Sequence, residues 1–498
     1  MSLNTRPLVA ILWGQMGMGG RTALTFVISI LVARALGADS FGVYVSLIAV
    51  VELLIKITDM GVYTTFSTYI PRLRHENLLG QCSYLTRQIL TRRFILLLAT
   101  VCILILLQRH TSWLIFFIHE RYLSCLLLLF LVRATMDGFI FIVIAQVDMR
   151  YYSAVEIGVS LVQLAGVLWL IESGLTVEAM LWLMVVVHAL QCIFYAYRSW
   201  GVLQPTPDPF PMASVWRFGC WVWLGTLFYY LRQKSIDILL LLFLIKDKRA
   251  IAHYEIAYML VMYGGLVLLS SLERLGVSLY ASALARDGMA GLGRIWQWMT
   301  KLSILLAIPV LVFLWIHADH LIHAFYTPDY LAAVPLLWLF AGLQIGVILL
   351  AGETTDALLF PMGKEKLFLY LNALQGFLNL FLGILLIPYF GAMGAVLATG
   401  GTAFLAAILN LHLITRPLHT PLPWRFSLSF FLLTLLLAAP TRLYPNPNLF
   451  VLIGLALLYG LSLLLLAPRV VPVTLEERLL LEKYLPKWWW ERWLPKRK

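Results

Sequence analysis

The amino-acid sequence predicts an all-α, polytopic membrane protein of about fourteen transmembrane helices, on three observations. Of its 498 residues, 61% are hydrophobic and only 12% charged, against roughly 45–50% and about 25% in ordinary soluble domains. The apolar residues come in blocks, with no Asp, Glu, Lys or Arg from Leu331 to Gly352, from Leu367 to Thr415 or from Leu449 to Ala467. A helix needs about 20 such residues to cross ~30 Å of hydrocarbon, and it satisfies its own backbone hydrogen bonds there. A water-soluble globule is excluded, because its surface alone needs more charge than the chain owns.

Apolar stretches separated by polar residues, Pro or Gly place the spans near 11–35, 42–69, 89–108, 122–147, 153–171, 178–198, 214–244, 251–281, 300–317, 332–360, 367–387, 391–414, 425–440 and 449–467. The first opens within Pro7 to Leu36, which is too long for a signal peptide and lacks a small-residue cleavage site. The third rests on Phe94 to Leu107, and Pro440 ends the thirteenth. Basic residues mark the turns between spans. On one side fall Arg6, Arg72, Arg74, Arg87, Arg92, Arg93, Arg150, Arg198, Arg217, Arg286, Arg294, Lys301, Lys364, Lys366, Arg416, Arg425 and the tail from Arg469. On the other fall Arg34, Arg109, Arg121, Lys246, Lys248, Arg249 and Arg442. The excess of Lys and Arg inside puts both termini in the cytoplasm, and Lys246 to Arg249 is a local violation of that rule.

The same topological bias accounts for the net charge of +12, so no nucleic-acid partner is expected. The five cysteines, Cys82, Cys102, Cys125, Cys192 and Cys220, are scattered and lack metal-ligand spacing, and they read as small core hydrophobes. No Walker A loop appears, so no nucleotide drives the protein directly, and no cofactor is expected. Outer loops are short, which argues for moving a substrate rather than transforming it. The chain is expected not to be an enzyme.

An offset of about 210 residues superposes Tyr44 on Tyr254 and brings Arg21 beside the equivalent of Arg232. This suggests two six-helix lobes, residues 1–205 and 206–420, followed by an extra helix pair at 421–468 and a tail at 469–498.

Three segments carry a family resemblance. Leu31-Val32-Ala33-Arg34-Ala35-Leu36-Gly37-Ala38-Asp39-Ser40-Phe41-Gly42-Val43-Tyr44, followed by Asp59-Met60-Gly61, resembles the opening hairpin of the bacterial polysaccharide transport family, the Wzx-type flippases of the MOP superfamily. Phe325-Tyr326-Thr327-Pro328-Asp329-Tyr330-Leu331-Ala332-Ala333-Val334-Pro335 is similar to that family's segment before the tenth span. Leu386-Ile387-Pro388-Tyr389-Phe390-Gly391-Ala392-Met393-Gly394-Ala395 resembles its hairpin between spans eleven and twelve. The resemblance implies a V-shaped, two-lobed translocator in the bacterial inner membrane. It would carry undecaprenyl-diphosphate-linked oligosaccharide from the cytoplasmic to the periplasmic leaflet by alternating access, beside the polysaccharide polymerase and ligase machinery. The alternative is an ion-coupled multidrug or small-molecule antiporter of the same superfamily. The span count matches its lipid II flippase branch.

Six basic residues lie inside expected spans: Arg21, Lys56, Arg133, Arg232, Lys234 and Arg274. Each costs at least ~2.5–3.5 kcal/mol on insertion scales and needs a partner or a wet cavity. Lys56 has Glu52 and Asp59 within a helical turn, Arg133 has Asp137, and Lys234 has Asp237, so local ion pairs are expected for these three. Arg21, Arg232 and Arg274 have no acid at such spacing. The resemblance places their spans around the central cavity, where forked guanidinium hydrogen bonds suit a diphosphate. All six are the candidate substrate-binding residues. Glu353 and Asp356, three apart on the tenth span, are a candidate ion-coupling pair, although neutralising Arg274 or Arg232 across the cavity is the preferred role.

His317, Asp319, His320 and His323 are metal-ligand types but sit at an expected exposed outer helix end without partners that would orient them, so no metal is assigned. The tail from Thr474 to Lys498 mixes Leu, Trp, Lys and Arg and reads as an anchor on the lipid surface.

Overall fold

The computed structural model describes residues 5–110, 120–146, 148–266, 269–359, 361–444 and 448–470. Every element among them is helical, as polar backbone in lipid requires. Among the described residues, eleven helices are long and apolar enough to cross a membrane. One of these, α1 (Thr5–Ile57), contains the first expected span and most of the second, joined at Gly37 with φ 71° and ψ 167°. The expected seventh and eighth spans are interrupted helices, so they do not enter that number. The chain divides into two compact units, Met1–Glu255 with Asn379–Gly391, and Ile256–Leu378 with Ala392–Lys498.

The first unit holds α1, α2 (Val62–His75), α3 (Leu79–His110), α4 (Glu120–Ala145), α5 (Met149–Ser173), α6 (Val177–Leu203), α7 (Met212–Leu231), α8 (Lys234–Leu244) and the start of α9 (Lys248–Met259). Helix α4 packs along α6, and α5 along α1. Met136, Ile140, Val143, Tyr152, Val155 and Tyr195 form their shared core. Lipid tails are as apolar as these side chains, so close packing and interhelical hydrogen bonds hold the helices together here, rather than expulsion of water.

Two expected spans are broken in this unit. The stretch 42–69 was expected as one helix, but α1 ends at Ile57 and α2 starts at Val62. Met60 and Gly61 between them adopt left-handed backbone, φ 55° and 68°, which only Gly takes without cost. The break lets α7 approach backbone to backbone: a Cβ on Gly61 would lie 2.6 Å from the Gly219 carbonyl oxygen. Trp223 Nε1 donates to the Lys56 carbonyl at 3.1 Å, so a carbonyl at the frayed end of α1 keeps a partner. The stretch 214–244 likewise splits at Arg232 and Gln233, with Gln233 extended at φ −91° and ψ 154°. There Asn379, from α14 (Glu365–Phe390), donates to the Leu231 carbonyl at 3.1 Å.

The turn at Gly37 is tied to the start of α9. Arg249 forks onto Asp39 Oδ2 at 2.7 and 2.8 Å, and Gly42 lies so close to the Lys248 carbonyl that no side chain fits. These partners are 210 residues apart, the offset seen in the sequence. Arg249, one of the charges that violates the positive-inside pattern, is thereby neutralised.

In the second unit, α10 (Leu269–Ile316) follows a π-helical turn, Leu260–Leu266, and bends at Gly288. Its Trp296 is fully enclosed with Tyr280, Leu292, Met299 and Leu358. The expected tenth span, 332–360, is not one helix. After α11 (Ala318–Phe325), α12 (Val334–Leu349) stops before Ala351, which is left-handed at φ 60°. A single turn, α13 (Gly352–Thr355), and a 3-10 turn, Asp356–Leu358, follow. The side chains of Thr354 and Thr355 take the Ala351 carbonyl, closing the loose end. Helices α15 (Ala392–Leu418), α16 (Trp424–Ala438) and α17 (Leu449–Val470) complete the order. The tail from Thr474 lies outside the described residues.

Candidate functional site

Five of the six candidate basic residues, Arg21, Lys56, Arg133, Arg232 and Lys234, lie in the first unit. Arg133 and Lys234 have partners on other helices besides the local acids that spacing suggests. Arg133 NH2 reaches Glu52 Oε1 on α1 at 3.5 Å rather than Asp137. Lys234 Nζ bonds Glu255 on α9. The physical reason is the break before α8. Lys234 is the first residue of that helix, where the helix dipole disfavours a cation, so it needs an anion from elsewhere. Asp237 stands in the same first turn, where the dipole favours it, and accepts from Tyr254 Oη at 2.6 Å and Asn379 Nδ2 at 3.3 Å.

One carboxylate links these groups. Glu52 takes Arg133 on Oε1 and the Ser235 hydroxyl on Oε2 at 2.5 Å, and it also feels the positive fields of Lys234 and Lys56. Arg133, Lys56 and Lys234 therefore converge with Glu52 and Glu255 at the two helix breaks. Arg232, at the end of α7, lies over the Tyr229 ring at 5.2 Å. Arg274 lies on α10, and its side chain is outside the described residues.

Arg21 belongs to a separate cluster. Its NH1 bonds Glu156 Oε2 on α5 at 2.6 Å. Glu156 is wholly buried, whereas the Arg21 side chain is 42% exposed. The other carboxylate oxygen accepts from Tyr195 Oη at 2.5 Å and Gln191 Nε2 at 3.3 Å, both on α6.

Glu353 and Asp356 both stand after the break at Ala351, on the consecutive turns Gly352–Thr355 and Asp356–Leu358. Glu353 Oε1 accepts from Gln344 Nε2 at 2.9 Å, and Asp356 Oδ1 from Asn410 Nδ2 at 2.7 Å. Glu353 lines a small cavity with Tyr280, Ser303 and Thr354.

Sequence reasoning missed Glu156 and Glu255, although a lone carboxylate inside an apolar run was the available signal. It also counted Arg93 among the loop charges. In the structure Arg93 is 2% exposed within α3, its NH2 stands 3.9 Å from Asp59, and its nitrogens make no hydrogen bond among the described residues. The expected exposed histidine cluster is packed instead. His317 is fully buried and bonds the Thr441 hydroxyl at 2.7 Å and His320 at 3.1 Å, while Arg442 forks onto Asp319 at 2.6 and 2.7 Å. Burial pushes the His317 pKa down to about 4, with His320 and Arg442 adding to the shift. Among the described residues no cluster of His, Cys, Asp and Glu could hold a metal ion.

The chain matches the family model described as polysaccharide biosynthesis protein over residues 11–274. No curated protein matches it in sequence. Its fold is similar to that of the lipid II flippase MurJ in an inward closed conformation, at 15% identity, with 92% of this chain and 100% of that one covered and a TM-score of 0.64. An inward-facing multidrug resistance MATE family transporter of the MOP superfamily superposes with a TM-score of 0.64 at 14% identity, covering 80% and 94%. A MOP superfamily transporter from Pyrococcus furiosus, whose binding pocket is described as reversed in polarity, gives 0.58 at 15% identity, covering 82% and 95%.

Proposed function

Because the chain belongs to the polysaccharide biosynthesis protein family, a multi-pass membrane family of flippases and transporters, we propose that it flips undecaprenyl-diphosphate-linked oligosaccharide across the bacterial inner membrane by alternating access. The observation that carries this reading is the pair of helix breaks in the first unit, at Thr58–Gly61 and Arg232–Gln233, with Lys56, Arg133 and Lys234 gathered beside them. Broken helices are where transporters place substrate groups, and cations held inside lipid-exposed helices are expensive unless they are used. Arg232 and Arg21 are further donors to phosphate in this proposal, and Arg274 stays a candidate on its sequence position. Glu353 and Asp356 remain the candidate ion-coupling pair, each already holding an amide.

The same reading keeps both termini cytoplasmic, two six-helix lobes at 1–205 and 206–420, an added helix pair at 421–468 and a membrane-surface tail. Glu52 and Glu255 favour a second reading, antiport of a small organic cation, because both are acids set among the polar groups of the first unit.

The test is reconstitution in proteoliposomes. Transfer of fluorescent undecaprenyl-diphosphate sugar between leaflets supports the first reading. Uptake of an organic cation without lipid transfer supports the second, and chemical conversion of the lipid refutes both.

A further inference from the structure

The carboxylate bound by Arg21 is tied down on its far oxygen by two side-chain donors. Glu156 has no exposed surface, and Tyr195 and Gln191, which donate to its Oε1, are 0% and 5% exposed. A carboxylate accepting that many hydrogen bonds is held in one orientation. Tyr195 is braced in turn by the edge-to-face ring of Tyr151, 6.5 Å between centroids. The anchor thus runs from α6 through Glu156 on α5 to a single nitrogen of Arg21 on α1.

A guanidinium has five N–H groups in a fixed plane. Here NH1 is spent on Glu156, and the remaining groups have no partner among the described residues, on a side chain that stays 42% exposed. A lone arginine on a long stem would sample many rotamers and lose that freedom on binding. An arginine pinned at one nitrogen presents its open edge in one plane at less cost, and it carries its own counter-charge while empty.

We infer that Glu156 is a positioning residue, held by Tyr195 and Gln191, that aims the Arg21 guanidinium at the diphosphate of the lipid substrate. The inference rests on the flippase reading above. Glu156 touches no substrate. It acts by setting the plane in which Arg21 meets two adjacent phosphates, which a monophosphate exploits less fully.

The experiment measures binding of undecaprenyl diphosphate and undecaprenyl monophosphate to purified full-length protein in detergent, beside leaflet transfer in proteoliposomes. Glu156→Gln removes the charge and keeps the shape, and Tyr195→Phe removes one anchoring hydroxyl and leaves the carboxylate. Glu156→Gln is expected to weaken diphosphate binding about tenfold and monophosphate binding much less, so that the preference between the two lipids narrows. Tyr195→Phe is expected to raise the half-saturating substrate severalfold with the maximal rate retained, and Glu156→Asp to recover part of the preference. A merely structural tie would lower folded yield in Glu156→Gln without changing the diphosphate-to-monophosphate ratio of the folded fraction, and that result overturns the inference. If Glu156→Gln does not fold, an unchanged ratio in Tyr195→Phe overturns it equally. If the wild-type protein binds neither lipid, the flippase reading itself fails and takes this inference with it. If the wild type binds the diphosphate and both variants match it, only the positioning role fails.

Discussion

Replacing Lys234 with Met separates stability from transport. Lys234 and Glu255 are bonded side chain to side chain, 22% and 8% exposed, and the second oxygen of Glu255 has no hydrogen-bond partner among the described residues. Lys234→Met keeps the apolar stem and strands that carboxylate. Breaking a buried pair from one side costs about 3–5 kcal/mol, and the partial exposure of Lys234 places this case near 3. The double variant Lys234→Met, Glu255→Gln removes both charges, and its stability should return to within about 1 kcal/mol of wild type, since an ion pair replaced as a unit is often near neutral. The assay is thermal unfolding of the purified protein in detergent, with leaflet transfer measured in parallel. The single variant should lose several degrees of melting temperature, the double should regain them, and neither should transport. A single variant as stable as wild type, or a double no better than the single, refutes the assigned pair.

Gly61→Ala should destabilise by about 2–4 kcal/mol in the same melt, adding left-handed strain to a clash with the Gly219 carbonyl; an unchanged melt contradicts the helix break. Arg133→Ala should cost less than Lys234→Met, because Glu52 keeps the Ser235 hydroxyl, and comparison of the two melts checks it. His317 is held neutral when folded, with a pKa near 4 against 6.5 unfolded, so the unfolded chain binds the extra proton between those values. Stability of the His317–Thr441 corner is therefore full above about pH 6.5 and falls by on the order of 1–3 kcal/mol as pH drops toward 4. Hydrogen exchange of residues 317–325 across that range reads it, and His317→Gln should flatten the profile.

Much of the helical architecture was legible because its signal is local. An apolar run either spans the hydrocarbon or it does not, and the two spans of Leu367 to Thr415 and the one from Leu449 to Leu466 all appear as helices near their expected bounds. What periodicity does not carry is where such a run breaks. Thr58 to Gly61 stays apolar enough to read as mid-helix, yet the close approach of Gly219 and the Trp223 bond to Lys56 stabilise an interruption there. Both are contacts with a helix more than 150 positions away. Asn379 plays the same part for the break at Arg232.

That difference governs the charges too. Spacing of three or four predicts an ion pair only if the helix continues through it and no stronger partner stands opposite. Arg133 and Asp137 do share a helix, but Glu52 competes from α1. Lys234 and Asp237 share a first turn whose dipole favours only the acid, so the lysine turns to Glu255 and the acid to Tyr254. The residues to which sequence assigned no partner follow the same logic in reverse: Arg21 finds Glu156 135 positions away. A cation inside an apolar run thus announces that some carboxylate inside another run must answer it. Glu52, Glu156 and Glu255 are such carboxylates here, each within an expected span and each matched to one of the six basic residues. Intramembrane acids and bases are therefore to be paired across helices as well as along them, as these three contacts are.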